Sequence, residues 1–258
     1  MSDGKPTLHH LNDSQSQSIL WLLEELGVDY DLVPYRRKKG RAPPELKEVH
    51  PRGKSPVLVT RSGRVLTERS AIALYLIRTY DAQGRFQVAR PVLPSPASSS
   101  AAAAAADDAD DLVREEELVS LGAASMNPAI MFAFILGMLV KHAPFFLWPV
   151  AAGFNLLLRK AFLDGELDNG FAELERALLQ PKTTGSIAPA AARPASTRPT
   201  RADFVVEWFV EWAAAGRQVD LDKYPAVERW CERCRQRPAY RRALDKGNGY
   251  DLVNGTSW

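Results

Sequence analysis

The sequence predicts two domains of different class: an α/β domain of order βαβ, short α, ββ, α over residues 1–85, and an all-α helical bundle over residues 107–258. Three observations carry this reading. Apolar periodicity changes type repeatedly up to about residue 80 and is helical afterwards. Residues 92–106, Val-Leu-Pro-Ser-Pro-Ala-Ser-Ser-Ser followed by six alanines, have no periodic apolar face, which makes 86–106 a low-complexity linker. The length of 258 residues exceeds the roughly 150 of a typical domain, as two separate cores require.

Thr7–His10 reads as a first strand. Ser14-Gln15-Ser16-Gln17 has the Ser-x-x-Gln spacing of a capping box, and Ile19, Leu20, Leu22, Leu23 and Leu26 follow on one face of a helix that Gly27 should stop. Tyr30 and Leu32 alternate with Asp29 and Asp31 as a second strand. Beyond the basic cluster Arg36–Arg41, Pro43-Pro44 opens a short helix, and His50-Pro51-Arg52-Gly53-Lys54 is a turn. Val57–Thr60 and Val65–Thr67 flank Ser62-Gly63, a two-residue hairpin signal, and Ile72, Tyr75, Leu76 and Thr79 mark the helix that ends the domain.

In the second domain, acidic residues from Asp107 to Glu117 suit a helix N-terminus, where they face the positive end of the dipole. From Leu118 to Leu158 the only fixed charge is Lys141, and this apolar stretch is expected to form bundle core and pocket wall. It is interrupted by Ser120, Ser125, Asn127, Pro128, Pro144 and Pro149, so no uninterrupted span of about 20 apolar residues exists, while peripheral membrane attachment stays open. Residues 181–199 read as a surface loop. Thr200 and Asp203 have capping-box spacing ahead of Phe204, Val205, Trp208, Phe209 and Trp212. Pro225 opens a helix whose Val227, Trp230, Cys231 and Cys234 share one face, so Cys-x-x-Cys here is read as core packing rather than a redox pair.

Composition excludes several classes. Thirty-three basic against 31 acidic residues give +2, without the basic excess of a chain that coats nucleic acid. Two cysteines are too few for a disulfide framework or a closed zinc site, no His/Asp/Glu cluster has metal-ligand spacing, and the polar N-terminus lacks an apolar leader core. A reducing cytoplasmic location is the expectation.

The motifs in order carry a family resemblance. Ser14–Leu26, Arg41-Ala42-Pro43-Pro44-Glu45-Leu46-Lys47, His50-Pro51-Arg52-Gly53-Lys54-Ser55-Pro56-Val57-Leu58, Leu66-Thr67-Glu68 with Ala71–Leu76, and the Thr200–Asp203 box together resemble the glutathione S-transferases, most closely the fungal type. The resemblance implies a thioredoxin-like N-terminal domain, a helical C-terminal domain, a homodimer, and conjugation of glutathione to small hydrophobic electrophiles. It also leaves open a specialised glutathione-dependent enzyme of fungal secondary metabolism, such as an isomerase or a sulfur-introducing step, or a non-catalytic binding or regulatory protein.

The site residues follow from the resemblance. Pro56 is cis in such a protein, presenting the Val57 backbone to the cysteinyl unit; the plain alternative is a strand-initiating proline. Glu68 receives the γ-glutamyl amine and residue 69 its carboxylate, while Lys54 meets the glycine carboxylate. The full binding set is Lys54, Ser55, Pro56, Val57, Glu68, Arg69 and Ser70. A cluster role for Arg36–Arg41 competes with a solvated basic loop. Ser14, with Ser16 second, occupies the position of the hydroxyl that stabilises the thiolate, a role that competes with helix capping. Gln15 and Ser18 stand where basic residues are expected and Arg69 where a serine is. Arg69 either pairs with the γ-glutamyl carboxylate or ties up Glu68.

Overall fold

The structure, a computed structural model, describes residues 4–38, 40–86, 99–179, 199–247, 250 and 252. In the first domain β1 (Thr7–Leu11), α1 (Ser16–Leu26), β2 (Asp31–Tyr35), α2 (Leu46–Val49), β3 (Val57–Val59), β4 (Val65–Leu66) and α3 (Arg69–Tyr80) follow one another. The sheet order is β2-β1-β3-β4, with β1 and β2 parallel and the other pairs antiparallel. Pro34 sits in β2, where an edge position spares it a missing ladder hydrogen bond. Gly27 ends α1 at φ +66°, donating to the Leu23 carbonyl, as the sequence predicts.

Two local expectations are corrected. Ser14 and Gln17 form no capping box: the Gln17 side-chain amide is buried without a hydrogen-bond partner, and α1 begins at Ser16. The β3–β4 hairpin turns through three residues, Arg61–Gly63, because Thr60 pairs with Arg64 (2.8 Å) and Gly63 takes the left-handed conformation at φ +81°.

The second domain comprises α4 (Ser99–Ser120), a π-helical turn (Leu121–Met126), α5 (Asn127–His142), α6 (Trp148–Leu158), a second π-helical turn (Arg159–Leu163), α7 (Asp164–Leu179), α8 (Arg201–Ala215), α9 (Pro225–Gln236) and α10 (Pro238–Lys246). Helix α4 takes in the last part of the expected linker, Ser99–Ala106. Alanine has the highest helix propensity, so a run of it propagates a helix without any apolar face. Asp107–Glu117 therefore lie within α4 rather than at its start. Residues 87–98 and all but Pro199 of the expected 181–199 loop lie outside the described residues.

Helix α1 joins the domains. Every residue of it except Glu25 is buried, because its apolar face meets the sheet and its other face meets α8 and α10. Trp21 packs edge-on against Phe204 (4.5 Å) and Tyr240 (5.3 Å). Arg237 bonds Glu25, and Arg242 (2.9 Å) and Lys246 bond Glu24. The expected core face of α9 is buried: burial pushes both the Cys231 and the Cys234 thiol well up, which suits packing and not thiolate chemistry.

The capping box of α8 is made. The Asp203 carboxylate accepts from Thr200 N (2.7 Å) and, through its other oxygen, from the Trp230 indole (2.7 Å). Asp203→Ala removes a cap and orphans a buried indole N–H, so it is expected to cost about 2–4 kcal/mol, measured by urea unfolding. Asp203→Asn, which retains one acceptor, is expected to cost less than half as much.

Candidate active site

The N-terminus of α1 opens onto a cavity of about 860 Å³ between the domains. Its first-domain wall includes Ser14, Gln15, Arg37, Arg41, Lys47, Arg52, Lys54, Ser55, Pro56, Glu68, Arg69 and Ser70. Its second-domain wall is Ala123, Asn127, Met131, Val205, Trp208, Phe209 and Trp212. The π-helical turn places Ala123 on this wall and sets Gly122 against α8, where a Cβ would meet Val206 Cγ2 at 3.0 Å.

Ser14 lies on the cavity wall. Its hydroxyl donates to the Leu11 carbonyl (2.8 Å), and its oxygen accepts from the Ser16 amide (3.3 Å). The Ser16 hydroxyl is 2.8 Å from that of Ser14 and 2.9 Å from His10 Nδ1. Ser16 is fully buried and does not reach the cavity, so it acts on a ligand only through Ser14. With the His10 proton on Nδ1, donation runs His10 to Ser16 to Ser14 and ends with the Ser14 proton on the Leu11 carbonyl.

The Ser55–Pro56 peptide is cis, as the resemblance implies. Ser55 bonds both β1 groups beside it, donating to the His9 carbonyl (3.0 Å) and accepting from Leu11 N (3.2 Å). Val57, paired in register with His9, is fully buried and is not on the cavity wall. Lys54 is exposed at the rim. Glu68 holds φ +66° at the start of α3, a conformation that costs a non-glycine residue about 1–3 kcal/mol and marks functional sites. Its carboxylate pairs with Arg52, a partner the sequence did not indicate.

Arg69 does not tie up Glu68. It is buried, with its guanidinium 4.0 Å from the centre of the Phe209 ring, and none of its three nitrogens has a hydrogen-bond acceptor. Burial lowers its pKa to about 9. Glu207, which favours its charge, is itself buried and has its carboxyl pushed well above the ordinary range by burial and by Glu211. Asn127 Oδ1 and Trp208 Nε1, also buried, lack partners too. The cavity wall thus carries an unused cation, donor and acceptor, the condition of a site awaiting a polar ligand.

The two departures near α1 separate. Gln15 faces the cavity, whereas the Ser18 hydroxyl turns back to the Gln15 carbonyl (2.9 Å) and is buried. Nor is the basic cluster merely a solvated loop. Arg37 is held by the carbonyls of Asn12 (3.3 Å), Asp13 (3.1 Å) and Gly40 (3.3 Å), and Arg41 reaches the wall. Six basic side chains against the single carboxylate of Glu68 give the wall a strong positive bias. The aromatic wall from α8 was read from sequence only as core; the signal was that Val205, Trp208, Phe209 and Trp212 continue the apolar face beyond what one packing partner needs.

Residues 14–79 match the family described as the glutathione S-transferase N-terminal domain. The chain is 26% identical to glutathione S-transferase 1 of Saccharomyces cerevisiae, covering 93% of this chain and 94% of the relative. It is 28% identical to glutathione S-transferase 3 of Schizosaccharomyces pombe, covering 93% and 86%. Among solved structures, a glutathione S-transferase from Actinobacillus pleuropneumoniae superposes with a TM-score of 0.67 at 29% identity, covering 96% of this chain and 95% of that one. A Phanerochaete chrysosporium protein cocrystallised with 1-(S-glutathionyl)-2,4-dinitrobenzene shares the fold, with a TM-score of 0.63 at 21% identity and 93% of each chain covered. Residues 14–79 thus match a glutathione S-transferase N-terminal domain, and over nearly its whole length the chain is similar to fungal glutathione S-transferases and has the glutathione S-transferase fold.

Proposed function

We propose that the protein is a cytoplasmic, homodimeric glutathione transferase that conjugates glutathione to small hydrophobic electrophiles. The observation that carries this reading is the two-sided cavity, polar and basic on one wall and aromatic on the other, with Ser14 on its lining. Glutathione has two carboxylates, one amine and one thiol. The basic residues suit the carboxylates, with Arg69 for the γ-glutamyl end and Lys54 for the glycine end, and Glu68 suits the amine once Arg52 yields or shares it. Ser14 then turns its proton from the Leu11 carbonyl to the sulfur, stabilising the thiolate that attacks the electrophilic carbon as the leaving group departs with the bond pair. Met131, Trp208 and Trp212 form the wall for the acceptor. The dinitrobenzene adduct bound by the Phanerochaete protein makes 1-chloro-2,4-dinitrobenzene the first substrate to test.

A second reading, a protein that binds glutathione without turnover, is favoured by the engagement of Ser14 with Leu11 and of Glu68 with Arg52. Isomerisation or sulfur transfer uses the same thiolate and differs only in the acceptor. Heat on titration with glutathione, without conjugation of several aryl halides, selects the binding reading.

Ser14→Ala is expected to lower kcat/KM for aryl-halide conjugation about 10- to 100-fold, one to two units of thiol pKa, with glutathione affinity changed less than about threefold. Ser16→Ala is expected to raise the pH midpoint of the rate profile by a smaller amount, since it shortens the donor chain but leaves Ser14 in place. Wild-type profiles from both variants would reduce the two serines to a structural turn.

Arg69→Met keeps the length and removes a buried charge that lacks an acceptor. The free protein is expected to gain about 1–2 kcal/mol of stability while glutathione affinity falls about tenfold or more, read by thermal unfolding and calorimetry. A less stable variant with unchanged affinity would show that Arg69 serves the fold alone.

A further inference from the structure

The largest departure from the sequence expectation lies in the apolar stretch. Helix α5 buries only one stripe, Ile130, Ala133 and Leu136, while Phe132, Ile135 and Leu139 face outward. Helix α6 buries no residue at all. The turn between them carries Phe145 at 90% and Phe146 at 66% exposure, and Trp148 at 54% follows. Phe154, Leu156, Leu157 and Phe162 extend the same exposed apolar character. The stretch is buried core at Leu118, Val119, Met126, Ile130, Ala133 and Leu136 and pocket wall at Ala123, Asn127 and Met131, and the residues beyond Leu136 are neither. A short helix gains its stability from burying a face, and an exposed apolar patch of this extent marks an interaction surface.

The charges on this hairpin identify the partner. From Leu118 through Leu163 there is no Asp or Glu, whereas Lys141, His142, Arg159 and Lys160 are all present. Lys141 closes α5 beside the aromatic turn, and Lys160 lies just past the far end of α6; both are exposed. A two-fold contact with a second copy would bring Lys141 and Lys160 together, and the adjoining carboxylate, Asp164, is already paired with Arg159 (3.0 Å). An anionic lipid surface meets both demands at once, with apolar depth for Phe145, Phe146 and Trp148 and phosphates for the lysines. The length sets the mode. The run Asp110–His142 is long and apolar enough to cross a membrane, but the Ile130, Ala133 and Leu136 stripe holds it in the bundle. Helix α6, 11 residues and about 16 Å long, reaches only about half the roughly 30 Å hydrocarbon core.

We propose that the α5–α6 hairpin docks the protein on an anionic bilayer, entering one leaflet with the Phe145–Trp148 turn while Lys141 and Lys160 lie against the headgroups. The test is flotation of the full chain with vesicles of phosphatidylcholine alone or with roughly one-third phosphatidylserine, at about 0.1 M and about 1 M salt. Wild type is expected to float with the anionic vesicles at least about tenfold more than with the neutral ones, and less at high salt. Phe145→Asp with Phe146→Asp is expected to abolish flotation at an unchanged melting temperature. Lys141→Glu with Lys160→Glu is expected to abolish the preference for anionic vesicles while leaving the fold intact. Folded wild type that floats with neither vesicle overturns the proposal, and equal uptake by both overturns the anionic partner. A dimer by light scattering that Phe145→Asp with Phe146→Asp splits, without any vesicle uptake, assigns the face to a second copy instead.

Discussion

The complete burial of α1 is the constraint on which the rest of the molecule depends. An amphipathic helix on a sheet normally leaves its polar face to water, yet here Trp21 and Glu24 are buried as well, because α8 and α10 close over them. Burial of the Glu24 carboxylate is tolerable because Lys246, Tyr30 and Arg242 all donate to it. Burial pushes its pKa up, and these bonds outweigh that and hold it below the ordinary carboxylate value. With its C-terminal half clamped this way, the helix has its first turn fixed between the domains. Ser14, two residues before that turn, is thereby held on the lining of the cavity.

The electrostatics of the cavity differ in kind from those of the clamp. Around Glu24 and Glu25 every charge has a partner of opposite sign within hydrogen-bond reach. On the cavity wall Arg69 has none, and Asn127 Oδ1 and Trp208 Nε1 are likewise without partners. Stacking on Phe209 offsets part of the cost of burying the Arg69 charge, but a ring face supplies no acceptor for the guanidinium N–H groups. Other buried polar atoms, such as those of the Gln17 amide, also lack partners, but Arg69, Asn127 and Trp208 are gathered on the lining of one cavity, and that placement supports a ligand role.

Local signals were legible in the sequence where a single residue type has few alternatives. Gly27 in a left-handed cap, Pro56 before β3, Pro225 at a helix start and the Thr200–Asp203 box all stand as read, because each is governed by backbone geometry within four residues. Signals that depend on what lies across space were not legible. Arg52 is 16 positions from Glu68, and neither residue's neighbours announce the ion pair. Ser18 looked like a site departure, but its hydroxyl bonds back to the Gln15 carbonyl and is buried there. The alanine run read as a linker because periodicity reports amphipathic helices only, and an all-alanine helix has no moment to detect.

The same limit explains the apolar stretch. Hydropathy records that a segment avoids water and is silent on what replaces the water, so bundle core and lipid contact look alike until the neighbours are known. Once the bundle is assembled, α5 packs on α7 and α8 through the side that carries its buried stripe, and α6 contacts chiefly α5 and the turn that follows it. Met131 makes the division consequential, because it is on the cavity wall and is also 40% exposed on the helix that leads to the aromatic turn. One helix thus contributes to the acceptor wall, to the core and to the outward apolar surface.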